Sequence, residues 1–83
     1  MNFKVIWDKK AQNQLDKLEI NIARRIILKV RELSEDPFSK EIKKLEGESS
    51  FRLRVGDYRV IFDIIRDTII VLKVGHRRNV YDN

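Results

Sequence analysis

FRLRVGDYRVIF, residues 51–62, decides the fold of this chain. Apolar and polar residues alternate on both sides of Gly56, as they do in two strands that each bury one face. Gly56 supplies the conformational freedom that a two-residue hairpin turn needs. In that register Arg54 lies opposite Arg59, and Arg52 follows on the same face. Because directly opposed like charges destabilise a sheet, we expect a bound phosphate to compensate for this arrangement.

The segments around the hairpin predict one α+β domain over residues 1–83. A strand is predicted at NFKVIW, residues 2–7, followed by two helices with a break near residues 19–21. Asp8 is expected to cap the first helix and Pro37 to end the second. A connection follows, and then come three strands at Phe51–Val55, Tyr58–Ile65 and Thr68–Gly75. The predicted fold is an N-terminal strand, a helical hairpin and an antiparallel three-stranded meander packed on the helices.

Strand parity divides the predicted meander into a core face and an outer face. The core face holds Phe51, Leu53, Val55, Tyr58, Val60, Phe62 and Ile64. The outer face also receives Ile61, Ile65, Ile70, Leu72 and Val74. If parity continues through the second turn, His76 joins them and Lys73 points toward the core. The apolar part of the outer face is either a binding surface or is covered by the second helix or the tail, and the pattern favours neither.

Composition limits the function classes that are open to the chain. Lysine and arginine total 18 against 13 acidic residues, a net charge of +5. Such an excess suits RNA, DNA or an acidic protein partner, but it is also common on basic surfaces that bind nothing. With no cysteine, a disulfide scaffold and a thiol nucleophile are excluded. No apolar run predicts a membrane span, and the N-terminal one is too short for a secretory signal, which makes a cytoplasmic protein the simplest interpretation.

The tail HRRNVY, residues 76–81, adds polar side chains just after the last predicted strand. It leaves the sheet near the Gly56 turn, so its side chains are expected to converge on the hairpin arginines. Guanidinium groups match phosphate oxygens, and tyrosine and arginine faces stack on unpaired bases. The cluster therefore predicts a site for single-stranded RNA. Neither a metal nor a cofactor is expected, since no group of side chains has ligand spacing and no phosphate-binding loop is present.

The motif LEG…FRLRVGDYRVIF…VGHRRNVY resembles the RelE/ParE superfamily of toxins from type II toxin–antitoxin modules, and within it the RelE branch of messenger RNA interferases. The resemblance extends over the whole chain in the order and length of its elements. It implies an endoribonuclease that cuts ribosome-bound messenger RNA and so inhibits translation. It also leaves two alternatives, a ParE-like inhibitor of DNA gyrase and an inactive module that only binds its antitoxin.

The same resemblance assigns roles to individual side chains. Arg59 and Arg77 match positions that hold the phosphate, Tyr81 matches a tyrosine that stacks on or activates the RNA, and Arg52 and Arg54 stand where lysine is frequent. A guanidinium group stays protonated and is a poor proton acceptor, so His76 or Tyr81 is the expected base. The expected catalytic residues are Arg54, Arg59, His76, Arg77 and Tyr81, with Arg52 and Arg78 binding RNA. The implied partners are messenger RNA on the ribosome and a cognate antitoxin, in a toxin–antitoxin hetero-oligomer.

Overall fold

Within the described residues, five strands form one sheet, and two helices precede the last four strands of that sheet. The computed structural model describes residues 2–36, 42–44 and 50–78. Its elements are β1 (Lys4–Trp7), α1 (Lys9–Asp16), α2 (Ile20–Glu35), β2 (Ile42–Lys44), β3 (Phe51–Val55), β4 (Tyr58–Ile65) and β5 (Thr68–His76). The predicted α+β architecture, with an N-terminal strand, a helical hairpin and a meander, is confirmed.

The strand order across the sheet is β1-β5-β4-β3-β2. β1 runs parallel to β5, and the other neighbouring pairs are antiparallel. β2 lies within the segment that was predicted as a connection between the helices and the meander. It has only three residues, too few for an alternating pattern to stand out from a charged loop. The sheet therefore extends one strand further than the predicted meander on each side.

Both helices bury one apolar stripe against the sheet. α1 begins after Asp8, whose carboxylate accepts a hydrogen bond of 3.3 Å from the backbone N–H of Lys10, as predicted for an N-cap. The break between the helices covers residues 17–19, slightly earlier than predicted. α2 ends at Glu35, and Pro37 lies outside the described residues. The buried α2 residues are Ala23, Ile26, Val30, Leu33 and Ser34.

The β3–β4 hairpin has the register that its sequence predicts. Val55 pairs with Tyr58, and Arg54 pairs with Arg59. Gly56 adopts a φ of 58° at the first central position of the turn, where a type II′ hairpin needs a left-handed residue. Leu53, Val55, Val60 and Phe62 are buried in the core cluster on the other face. The division of this hairpin into a basic and an apolar face is confirmed.

A β-bulge in β5 reverses the parity that was predicted for the end of that strand. Ile61 pairs with Lys73 but Phe62 pairs with Val71, so Leu72 is the extra residue. Val74 consequently lies in the core, 2% exposed, and Lys73 is exposed on the outer face. The predicted faces of these two residues were wrong. His76 was also misplaced, since it pairs with Tyr58 and shares the core-side face of the sheet.

Candidate nucleic-acid interface

Basic side chains occupy one end of the outer face of the sheet. We call this surface the basic face; its members are Lys43, Arg52, Arg54, Arg59 and Lys73. They come together because neighbouring strands place them side by side: Lys43 pairs with Arg52, Arg54 pairs with Arg59, and Ile61 pairs with both Arg52 and Lys73. Ile61 is only 5% exposed, so the basic face has an apolar centre. Four strands thus contribute to one cationic surface.

The arginines of the basic face are close enough to influence one another electrostatically. Burial lowers the pKa of Arg52 below its ordinary value, and the positive charges of Arg59 and Arg54 lower it further. Both effects disfavour the charged form of the guanidinium group. An anion bound among these side chains would offset the repulsion and replace part of the lost hydration. The electrostatics are therefore those of an anion-binding surface.

The tail is held at the same end of the sheet by a backbone hydrogen bond. The N–H of Arg77 donates to the carbonyl oxygen of Asp57 at 2.8 Å. Asp57 belongs to the β3–β4 turn, and one residue pair, Val55 and Tyr58, lies between this turn and the two arginines. The prediction that the tail leaves the sheet near the Gly56 turn is confirmed for residues 77 and 78, where the described part of the tail ends. Arg77 and Arg78 are both exposed there, and Tyr81 lies outside the described residues.

His76 contacts an aromatic ring rather than the basic face. Its imidazole lies edge-to-face with the ring of Tyr58, with centroids 5.3 Å apart and an interplanar angle of 79°. Its Nδ1 accepts a hydrogen bond of 3.2 Å from the backbone N–H of Arg78. A ring nitrogen that accepts carries no proton, so the neutral ring holds its proton on Nε2. In this arrangement His76 presents a hydrogen-bond donor at the end of the sheet.

Sequence reasoning missed two members of the basic face. Lys43 was missed because it belongs to β2, and Lys73 because the bulge was not anticipated. The motif KEIKK around Lys43 carries a weak signal, since a single apolar residue between lysines is compatible with a short edge strand. The bulge has no local signal in this sequence, because Leu72 continues an unbroken apolar run.

The outer face also carries a hydrophobic area beside the basic face. It consists of Ile6, Ile65 and Ile70, which we call the apolar strip. Ile6 of β1 pairs with Ile70, and both Ile6 and Ile65 are 53% exposed. Two of these residues were predicted on the outer face, and Ile6 joins them because β1 pairs with β5. Such exposed apolar surface next to charge is typical of a binding surface.

Within the described residues, no three histidine, cysteine or acidic side chains form a group that could hold a metal ion. In the same residues, no helix is long and apolar enough to cross a membrane.

Comparison with known families shows which family this chain belongs to. Residues 5–81 match the model of a family described as the ParE toxin of type II toxin–antitoxin systems, parDE. The chain belongs to this ParE toxin family. The match covers nearly all of the sequence, so the resemblance stated from its motifs is confirmed. The chain is accordingly the toxin of a toxin–antitoxin module.

Individual relatives match this chain over almost their full lengths. The chain is 34% identical over 84 residues to Toxin RelE3 of Methanocaldococcus jannaschii, covering 95% of this chain and 96% of that protein. Its structure resembles the RelBE2 toxin–antitoxin complex of Mycobacterium tuberculosis, with a TM-score of 0.84, 27% identity and 95% coverage of both chains. It also resembles an archaeal RelE-RelB complex from Pyrococcus horikoshii, with a TM-score of 0.81, 30% identity and coverage of 96% and 100%.

Proposed function

We propose that this toxin is an endoribonuclease that cuts messenger RNA on the ribosome and thereby inhibits translation in the cytoplasm. The observation that carries the proposal is the pairing of Arg54 with Arg59 beside Arg52, with Arg77 bonded to the adjoining turn. Guanidinium groups on a shared surface suit a substrate whose charge increases at the transition state. The family resemblance supplies the reaction, in which a ribose 2′-oxygen attacks the adjacent phosphorus.

The reaction needs charge stabilisation and two proton transfers. The 2′-hydroxyl loses its proton to a base, a pentavalent phosphorane forms, and the bond from phosphorus to O5′ breaks. The products are a 2′,3′-cyclic phosphate and a 5′-hydroxyl, whose oxygen receives a proton. Arg54, Arg59 and Arg77 are proposed to stabilise the phosphorane, because fixed cations favour the charge that develops there. Arg52 and Arg78 are proposed to bind the flanking RNA.

Tyr81 and His76 have different proposed roles: the tyrosine takes the proton of the 2′-hydroxyl, the histidine donates a hydrogen bond to the phosphate, and water supplies the proton that O5′ takes up. His76 uses Nδ1 to accept the N–H of Arg78, which leaves Nε2–H as a donor to a phosphate oxygen and makes His76 a poor base in that state. Tyr81 is therefore the proposed general base. The assignment follows the resemblance, which matches Tyr81 to a tyrosine that stacks on or activates the RNA.

The test is cleavage of messenger RNA in a translation extract, with primer extension to locate the new 5′ ends. Arg59→Ala and Arg77→Ala are each expected to slow cutting by roughly 100-fold, the usual order of loss when one transition-state donor is removed. Arg66→Asn is the matched control. It removes a cation from the β4–β5 turn, and asparagine tolerates the φ of 56° found there. Equal cutting by the parent and both alanine variants would refute the site.

A second candidate function is inhibition of DNA gyrase, since the matching family is described as the ParE toxin. The basic face would then contact a protein rather than a scissile phosphate. Supercoiling assays separate the two proposals: loss of gyrase activity together with intact messenger RNA would favour this candidate over the endoribonuclease.

The similar RelE–RelB and RelBE2 structures are toxin–antitoxin complexes, and we further propose that a cognate antitoxin binds the outer face of this chain. An acidic, amphipathic segment would match both the basic face and the apolar strip. Co-expression with the product of the adjacent gene is expected to yield a complex and to restore growth. The double substitution Ile6→Lys and Ile65→Lys should weaken that complex without unfolding the toxin, because both side chains are more than half exposed. Copurification that is unchanged by these substitutions would place the antitoxin elsewhere.

A further inference from the structure

The β3–β4 turn is covered on its helical side by an arginine from α2. An ideal Cβ at Gly56 would lie 3.3 Å from Nη1 of Arg25, and 3.6 Å from both Cζ and Nη2. All three atoms lie within 3.6 Å of that position, so the guanidinium group of Arg25 rests against the turn. Gly56 permits this approach because it has no side chain. Glycine is also suited to the positive φ at this position, because it has no Cβ that would clash with the backbone.

The hydrogen-bond donors of Arg25 are available to a ligand. In the residues that the structure describes, Arg25 forms neither an ion pair nor a side-chain hydrogen bond, and its side chain is exposed. A guanidinium group carries five N–H donors in one plane, which suits the oxygens of a phosphate. The turn therefore supports an exposed cation whose donors are unused by the described residues.

Arg25 lies at the same end of the sheet as the basic face. Only the pair Val55 and Tyr58 separates the turn that it covers from the pair Arg54 and Arg59. Asp57 of that turn accepts the backbone N–H of Arg77. From residue 20 to residue 31, moreover, α2 contains no acidic residue that would repel a bound anion or pair with Arg25 in its place. Cationic groups thus continue from the outer face of the sheet, around the hairpin turn, to the helical layer.

We propose that Arg25 forms a second phosphate subsite, which binds the backbone of the RNA strand one or more nucleotides away from the phosphate held by Arg54 and Arg59. The ligand is single-stranded RNA, bound through phosphate oxygens without base selectivity. The inference rests on the proposed function, and it adds a contact from an element that sequence analysis did not connect with the site. Binding there steers the strand across the turn toward the basic face.

The test compares Arg25→Gln with Arg24→Gln in the full-length toxin. Both variants lose one positive charge from an exposed α2 position, and only the first changes the group at the turn. The probe is a short single-stranded 2′-O-methyl RNA, which cannot be cut because it has no free 2′-hydroxyl, and binding is followed by fluorescence anisotropy at several salt concentrations. For single strands, each phosphate contact contributes about 0.7 to the slope of log affinity against log salt.

Arg25→Gln is expected to weaken binding roughly threefold and to lower the salt slope by about 0.7. Arg24→Gln should retain the parent slope. Arg25→Lys should keep the slope, since it retains the charge, but bind more weakly because the planar fork is lost. Circular dichroism melting of each variant sets a measuring temperature at which all of them are folded. A purely structural role for Arg25 would alter the melting curve and leave the salt slope unchanged.

Three results would overturn the subsite: parent-like binding by Arg25→Gln, equal losses in both glutamine variants, or no RNA binding by the parent. Unchanged RNA affinity with weakened antitoxin binding would assign Arg25 to a protein interface instead. The proposed function is tested separately, by cutting in the translation extract. A parent that binds the probe with the expected slopes but cuts nothing would leave the subsite in place and refute the endoribonuclease.

Discussion

At the scale of single residues, the site combines side chains that repel one another. Arg54 and Arg59 are direct cross-strand neighbours, and the charges of both lower the pKa of Arg52. A cross-strand pair of like charges costs a sheet a few tenths of a kcal/mol up to about 1 kcal/mol. Functional sites commonly retain such unfavourable contacts because binding a ligand relieves them.

Arg54→Thr should therefore make the protein more stable while impairing its function. We expect the free energy of unfolding to rise by about 0.5 kcal/mol, since one like-charge pair is removed and threonine suits a strand. Urea unfolding at low salt measures this gain. At high salt the gain should shrink, because screening already reduces the repulsion in the parent. A loss of stability at low salt would show that Arg54 is held by favourable contacts.

At the scale of elements, α2 has a buried side and an exposed side that differ sharply in their contribution to stability. Ile26 is 0% exposed, whereas Leu28, two residues later, is 54% exposed. Ile26→Ala should lower the free energy of unfolding by about 2–5 kcal/mol, the usual cost of removing a buried aliphatic side chain. Leu28→Ala is the control and should change it by less than about 0.5 kcal/mol. Similar losses in both variants would mean that α2 packs with a different face toward the sheet.

The elements also show how far the sequence could predict this structure. The register of the β3–β4 hairpin was predictable because a two-residue turn at Gly56 fixes which residues are opposed. The face on which Lys73 lies could not be predicted, because one bulged residue moves every later side chain of the strand to the opposite face. The unbroken apolar run around Leu72 gives no sign of this bulge. β1 was recognised as a strand, but its place beside β5 depends on the tertiary fold and not on local periodicity.

Like the fold, the candidate site could be predicted from the sequence only in part. Arg52, Arg54 and Arg59 were assigned to one face by parity alone, and the register confirms it. Arg25 was outside the reach of that reasoning, because its contact with Gly56 joins α2 to a turn 31 residues further along the chain. The position of Tyr81 and the catalytic roles remain predictions. A sequence motif shows which residues lie on the same strand. It does not show which residues of the helical layer contact that strand.

At the scale of the whole molecule, the proposed RNA binding would make the folded protein more stable. A ligand that binds only the folded protein raises the unfolding free energy by RT ln(1 + [L]/Kd), about 2.7 kcal/mol at one hundred times Kd. For a domain of this size, that corresponds to an increase in melting temperature of roughly 10 °C or more. The uncleavable RNA should therefore raise the melting temperature of the parent, and Arg59→Ala should reduce the rise. Arg66→Asn should behave like the parent, and an equal rise in all three proteins would mean that binding does not depend on the basic face.

The parallel pairing of β1 with β5 has a consequence for how this toxin is made. Val5 lies beside Ile69 and Trp7 beside Val71. Because β1 is synthesised first and β5 last, β1 cannot pair with its neighbour in the sheet until β5 has been made. A nascent chain cannot complete its sheet until most of the polypeptide has left the exit tunnel of the ribosome. A truncated product that ends before Thr68 would lack β5, and with it the attachment of β1 and the segment that leads to Arg77. Incomplete synthesis should therefore yield harmless fragments, and the toxin would become active only once its own translation is nearly finished.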